Sequence, residues 1–200
     1  MDSTARKLDE RYTYGDYRTW DDGTRWELID GEAFCMSPAP RPVHQLLLAA
    51  LSRKLGNHFE GKKCKVFFAP VDVLLSSGDE GEDDIVNVVQ PDIMIVCDRS
   101  KIRSRNIIGA PDVIFEILSP STSKRDMSVK FELYERSGVR EYFVVDPYRE
   151  SVTAFGENNG SRFLKKTVYS ASDVLKFDTF AELEIPLAPI FEELSPFSGE

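Results

Sequence analysis

The stretches VVQPDIMIV (88–96) and DVIFEILSP (112–120) decide how this chain is read. Each is a short apolar run suited to a buried strand, and each carries one carboxylate in its interior, Asp92 and Glu116. A carboxylate among Val, Ile and Phe needs compensation, because burying an unpaired charge is very costly. Two such acids, 24 positions apart on strands that could be neighbours, repel each other unless a cation sits between them. Hard oxygen donors of this kind suit Mg²⁺ or Mn²⁺ better than zinc. The other reading is that each acid pairs with a basic residue, or lies at a strand end in water.

Upstream, WELIDGEAFCM (26–36) reads as a β-hairpin with Asp30-Gly31 as its two-residue turn. In that register Ile29 faces Glu32 and Glu27 faces Phe34, so both glutamates share one sheet face. A short helix is expected over Tyr14–Trp20. The proline-rich SPAPRP (37–42) leads into a helix over Val43–Phe59, on whose apolar side His44 lies beside Leu47 and Leu51. A lone histidine there reads first as a satisfied core residue and second as a ligand. Strands are expected over Lys65–Leu75 and Val86–Val96, separated by an acidic solvated loop (76–84). Gln90, two before Asp92, shares its strand face if that strand is continuous. Arg99, Lys101, Arg103 and Arg105 alternate through the next loop; Arg103 and Arg105 could touch phosphates, or simply face water.

Downstream, Asp112–Leu118 is a third long strand, and SPSTS (119–123) suits a helix cap. A helix from about Lys124 to Ser137, stopped by Gly138, follows. Advancing 100° per residue from Met127, its buried arc holds Val129, Leu133, Tyr134, Met127 and Phe131, with Lys130 near the middle. A lysine there snorkels, pairs with an acid such as Asp126 one turn earlier, or reaches back to Glu116 on the preceding strand. Arg140–Val145 is a fourth strand. A terminal hairpin (Val152–Phe155 with Phe163–Tyr169, turning at 158–160) and a short Leu187–Leu194 helix close the chain. Helices interleaved with apolar strands define an α/β or α+β domain with a mixed sheet.

Composition narrows the function classes. Two hundred residues with 42% hydrophobic and 11% aromatic content make one globular domain, expected over 12–194 after a flexible 1–11 segment. There is no long apolar run and no signal-like h-region, so a cytoplasmic protein without membrane contact is expected. Cys35, Cys64 and Cys97 are odd in number and form no CxxC pair, which reads as reduced thiols without a disulfide framework or structural zinc. A net charge of −9 opposes binding nucleic acid by bulk charge, so a local basic surface or bound cations would have to overcome it. GxSxG, HExxH and P-loop patterns are absent, leaving no motif for a small-molecule hydrolase.

The ordered set ELIDGE (27–32), His44, VQPDI (89–93), FEILSPST (115–122), D-x-x-x-K-x-x-x-Y (126–134) and GVREYFVVDP (138–147) closely resembles the putative restriction endonuclease family of the PD-(D/E)XK superfamily. The resemblance spans about residues 12–191. It implies a restriction endonuclease-like core: a central mixed β-sheet flanked by helices, with N-terminal and C-terminal β-hairpins. It makes Asp92 the PD aspartate and Glu116 the second acid, with the Ile117 carbonyl as a third ligand for one or two Mg²⁺ or Mn²⁺ ions. The superfamily's usual lysine position, two after the second acid, is Leu118 here. Relatives of this kind are thought to draw a lysine from the following helix, which points to Lys130, with Lys124 as the alternative. Glu27 and Glu32 match the N-terminal acids, and Glu27, Glu32, His44 and Gln90 are auxiliary candidates. The implied activity is metal-dependent hydrolysis of DNA phosphodiester bonds by an endonuclease, as a homodimer if both strands are cut. The other reading is a catalytically degenerate domain that binds nucleic acid or a protein partner without cleavage.

Overall fold

Pro91 has no N–H to give to a strand ladder, and the architecture turns on that gap. The computed structural model describes residues 10–36, 39–76, 78–119 and 126–197, with only the backbone described at Asp126 and at 195–197. In chain order the elements are α1 (Tyr14–Tyr17), β1 (Trp26–Ile29), β2 (Glu32–Cys35), α2 (Pro42–Phe59), β3 (Lys65–Phe68), β4 (Val73–Leu74), β5 (Val88–Val89), β6 (Ile93–Val96), β7 (Ile107–Ile108) and β8 (Val113–Ile117). A π-helical turn, Asp126–Lys130, then runs into α3 (Phe131–Arg136). The chain continues through β9 (Glu141–Asp146), β10 (Ser151–Asn158), β11 (Phe163–Ser170), β12 (Val174–Lys176), β13 (Glu184–Pro186) and α4 (Ala188–Phe191), followed by a 3₁₀ stretch over Glu192–Phe197.

A six-stranded sheet ordered β11-β10-β9-β8-β6-β3 forms the centre. Only its β8–β9 pair is parallel; its other pairs are antiparallel. Strand alternation divides the core. Ile93, Ile95, Val113, Phe115 and Phe143 face α2, against Leu47, Leu51 and Leu55. Met94, Ile114, Tyr142 and Val144 face the other way, against Leu133 and Tyr134 of α3 and Val73 and Val89 of the second sheet. With both faces covered, β6 is apolar throughout and β8 is apolar but for Glu116, which explains their unalternating sequences. The second sheet, β2-β1-β5-β4-β7, is smaller and carries the N-terminal hairpin.

That hairpin forms in the expected register, Ile29 opposite Glu32 and Glu27 opposite Phe34, with Asp30 and Gly31 both at positive φ as a tight turn requires. The terminal hairpin, α2 and the mixed sheet also stand where expected. The structure corrects other expectations. Lys65–Leu75 is not one strand: β3 lies in the large sheet and β4 in the small one. Val86–Val96 splits likewise into β5 and β6, interrupted at Gln90-Pro91-Asp92. Met127 and Val129 are exposed rather than core, because the π-helical turn rotates successive side chains less than the assumed 100°. The acidic loop carries a 3₁₀ turn, Glu82–Asp84, with Arg18 bonded to Asp83. Cys64 and Cys97 are disulfide-bonded, contrary to the expectation of reduced thiols, and only Cys35 is free and exposed. Their register explains the pairing: they stand one step past Lys65↔Val96, as cross-strand neighbours of β3 and β6. Among the described residues, no helix is long and apolar enough to cross a membrane.

Candidate functional site

The break at Pro91 leaves Asp92 just outside β6, where its backbone and side chain tie two strands together. Its carbonyl accepts from Ala69 N at 3.0 Å, and its Oδ2 accepts from the Ile117 N–H at 2.7 Å. The ladder pairs Ile93 with Phe115, so one step further the register sets Asp92 opposite Glu116. Asp92 Oδ2 also lies 3.1 Å from His44 Nε2 on α2. His44 Nδ1 is buried without a partner among the described residues, so the ring donates from Nε2–H, since an unmet lone pair costs less than an unmet N–H.

Glu116, on β8, is only 4% exposed and points to the α3 side of the sheet. Its Oε1 receives Lys130 Nζ at 2.9 Å and the Tyr134 hydroxyl at 2.7 Å. Lys130 Nζ also stands 2.8 Å from Glu27 Oε1, which in turn accepts the Gln90 main-chain N–H at 3.1 Å. Lys130 and Glu27 are 4% and 1% exposed, so this is a buried ionic cluster, with an ammonium bridging two carboxylates. Desolvation would make either acid alone prohibitive, and the shared ammonium with two neutral donors offsets it. Burial, followed by the nearby charges of Glu116 and Glu27, holds the Tyr134 phenol far above its usual range, so it remains a hydrogen-bond donor.

The structure therefore brings Lys130 to Glu116, one of the three outcomes the helical arc left open, and adds Glu27 to the same charge. It corrects the premise that an inorganic ion must compensate the two strand acids. Glu116 is balanced by Lys130, while Asp92 is held by a main-chain N–H and His44. His44 is thus a partner of Asp92 rather than a plain core residue. Gln90 does not share a face with Asp92, since Pro91 ends strand parity. Its side chain turns to Asp72 Oδ1 (2.8 Å) and receives Arg25 Nε at 3.0 Å. Glu32 is half-buried on the hairpin, opposite Ile29. Arg103 and Arg105 are exposed, and neither contributes to the buried cluster. Lys124 and the Asp126 side chain lie outside the described residues.

Tyr134 was absent from the sequence candidates, although it lies four residues after Lys130 and so on the same helical face. Asp72, Arg25 and Tyr17 offered no comparable signal, because only tertiary packing brings them to Gln90. Among the described residues, no three His, Cys, Asp or Glu side chains form a cluster that could hold a metal ion. Asp92 and Glu116, set opposite each other by the β6–β8 register, are hard oxygen donors of the kind Mg²⁺ takes, since it keeps several waters and commonly takes only one or two carboxylates beside substrate phosphates.

A central mixed sheet flanked by helices is the architecture of restriction endonuclease-like nucleases. The chain belongs to the Uma2 family, described as putative restriction endonucleases, whose model matches residues 14–188. It is 26% identical over 164 residues to the uncharacterized protein slr1290 of Synechocystis sp. (strain ATCC 27184 / PCC 6803 / Kazusa), covering 80% of this chain and 82% of that one. The fold matches the crystal structure of a putative nuclease belonging to DUF820 from Anabaena variabilis ATCC 29413 with a TM-score of 0.72. That match has 18% identity and covers 91% of this chain and 98% of the other.

Proposed function

We propose that this protein is a Mg²⁺- or Mn²⁺-dependent DNA endonuclease whose centre is Asp92, Glu116 and Lys130. The observation that carries the reading is the Lys130 ammonium on Glu116, while Asp92 stands across the strand junction from that acid. Asp92, Glu116 and the Ile117 carbonyl would hold the ion, which supplies polarisation of the scissile phosphate and a more acidic attacking water. Ile117 N–H and His44 fix the Asp92 carboxylate in orientation. Glu27 and Tyr134 anchor Lys130 and Glu116. From that position Lys130 orients the attacking water and stabilises charge growing on the phosphate oxygens. Cleavage of both strands of a duplex favours action as a homodimer.

The test is nicking of supercoiled plasmid by purified protein with Mg²⁺ or Mn²⁺, repeated with Asp92→Ala. Nicking lost in the variant supports the reading, whereas equal nicking by both proteins removes Asp92 from the chemistry.

A second reading is a domain that binds nucleic acid or a protein partner without cutting. Two observations favour it: Lys130 is shared between two buried carboxylates, and the net charge is −9. Thermal melting in a Mg²⁺ or Mn²⁺ titration separates the two. A saturable rise in melting temperature, lost in Asp92→Ala, belongs to the nuclease, and an unchanged melt belongs to the non-cutting domain.

A further inference from the structure

Beside this cluster lies a second recess, outside every residue assigned above to cleavage. It has a volume of about 320 Å³, and Tyr17, Trp20 and Trp26 line it together with Asp72, Arg18 and Arg105. Edge-to-face contacts, Tyr17 to Trp20 at 5.6 Å and Trp20 to Trp26 at 5.8 Å between ring centres, lock these rings to one another. The aromatic surface is therefore formed before any ligand arrives. Asp72 is half-buried, and its Oδ1 accepts from the Tyr17 hydroxyl at 3.0 Å and from Gln90 Nε2 at 2.8 Å. Arg18 and Arg105 are exposed, and Arg18 is tethered to Asp83.

We propose that this recess binds an unpaired nucleobase of the DNA strand presented to the cluster, stacking it on the face of one tryptophan with the other edge-on to it, with Asp72 accepting from its N–H edge and Arg105 meeting its phosphate. The chemistry selects against other ligands. An organic cation would suit the rings and Asp72, but it would face two arginines. A purely apolar ligand would strip water from the Asp72 carboxylate without replacing it. A flat ring with N–H donors on one edge and an anionic tail satisfies aromatic faces, carboxylate and guanidinium together. That description fits a nucleotide.

The recess also connects to the cluster. Gln90 hydrogen-bonds Asp72 through its side chain and Glu27 through its main-chain N–H, and Glu27 leads through Lys130 to Glu116. Gln90 is two residues from Asp92, a span of at most roughly 7 Å. Stacked nucleotides rise about 3.4 Å each, so a base in the recess, with the Asp72 and Gln90 side chains added to that span, would lie within a few nucleotides of the scissile phosphate. A base in an intact duplex is already stacked and paired, so the recess prefers single-stranded, frayed or distorted DNA. This inference deepens the nuclease reading and rests on it for the identity of the strand.

The chain has two tryptophans, and both line the recess, so intrinsic tryptophan fluorescence reports on its occupancy directly. Full-length protein in EDTA, where metal-dependent cleavage is silent, is titrated with a mixed-sequence single-stranded 12-mer, the same 12-mer as duplex, and choline. The expected result is saturable quenching by the single strand, with affinity about tenfold or more above the duplex. Arg105→Ala, an exposed substitution, is expected to weaken that affinity by about tenfold. Absence of saturable quenching by the single strand, equal affinity for the duplex, or quenching by choline instead overturns the proposal. The two readings fail separately. Asp92-dependent nicking without quenching removes the base site and leaves the nuclease, whereas quenching in a protein that never nicks removes the nuclease and leaves the base site.

Discussion

Lys130 Nζ lies 2.9 Å from Glu116 and 2.8 Å from Glu27, so one ammonium joins the central sheet to the N-terminal hairpin. All three side chains are almost wholly buried. Removing the ammonium alone strands two carboxylates in a low-dielectric interior. Lys130→Met is therefore expected to destabilise the fold by about 3 kcal/mol, as for other broken buried ion pairs. Restoring charge balance with Glu27→Gln and Glu116→Gln in the same chain should recover most of that loss. Urea unfolding of the single and triple variants checks this. A Lys130→Met protein as stable as the parent would show that the bridge is not formed in solution.

Asp92 offers a cleaner separation of stability from chemistry. Asparagine keeps a carbonyl oxygen able to accept from Ile117 N–H, the 2.7 Å bond that ties the two strand ends. Asp92→Asn should therefore retain stability to within about 1 kcal/mol, as expected for one retained neutral hydrogen bond, while losing the anionic ligand and with it nicking. His44→Ala acts through Asp92 and should lower metal-dependent nicking by about 10- to 100-fold, with weaker apparent affinity for the ion. A His44→Ala protein with unaltered metal dependence would relegate the imidazole to packing.

How much of this was readable in the chain depended on how local each cause was. The Asp30-Gly31 turn fixes its own hairpin register, and the helical arc holds for Lys130, Leu133 and Tyr134, which are buried, although the π-helical turn exposes Met127 and Val129. The breaks at 69–72 and 90–92 were missed because Lys65–Leu75 and Val86–Val96 have enough apolar residues for a single strand each. Only the choice of partner strand, made in three dimensions, sends their halves into different sheets. The cysteine pairing was hidden for the same reason, since the β3–β6 register is a long-range outcome. The aromatic recess draws residues from positions 14 to 105, so no local window contains it.

Tyr134 supplies a pH test. Burial and the adjacent Glu116 raise its phenol pKa in the folded protein, so the folded state keeps a proton that the unfolded chain releases above about 10. Stability from this group is complete below that value and declines as the pH rises further. Tyr17 is raised too, by burial and then by Asp72, and adds to the same decline. Tyr134→Phe should be less stable than the parent at neutral pH, having lost the 2.7 Å bond to Glu116, and the gap should narrow between pH 10 and 11. A gap constant across pH 9 to 11, measured by urea titration, would be incompatible with a buried phenol donating to Glu116.

The Cys64–Cys97 bridge bears on stability but should be silent in catalysis. It closes a loop across a sequence separation of 33, for which the chain-entropy model allows about 3 to 4 kcal/mol at most. The strands it joins are already paired from Lys65↔Val96 to Phe68↔Ile93, so the fold does not depend on the bridge for its register. Cys97 follows the C-terminal end of β6, whereas Asp92 precedes its N-terminal end. Cys64→Ser with Cys97→Ser should thus lower the urea midpoint, with Asp92-dependent nicking preserved. Both sulfurs belong to half-buried residues, so dithiothreitol should reach them and bring the parent's midpoint down to that of the double variant. If reductant leaves the parent unchanged, the two thiols are already separate in solution and the strand pairing alone holds them adjacent.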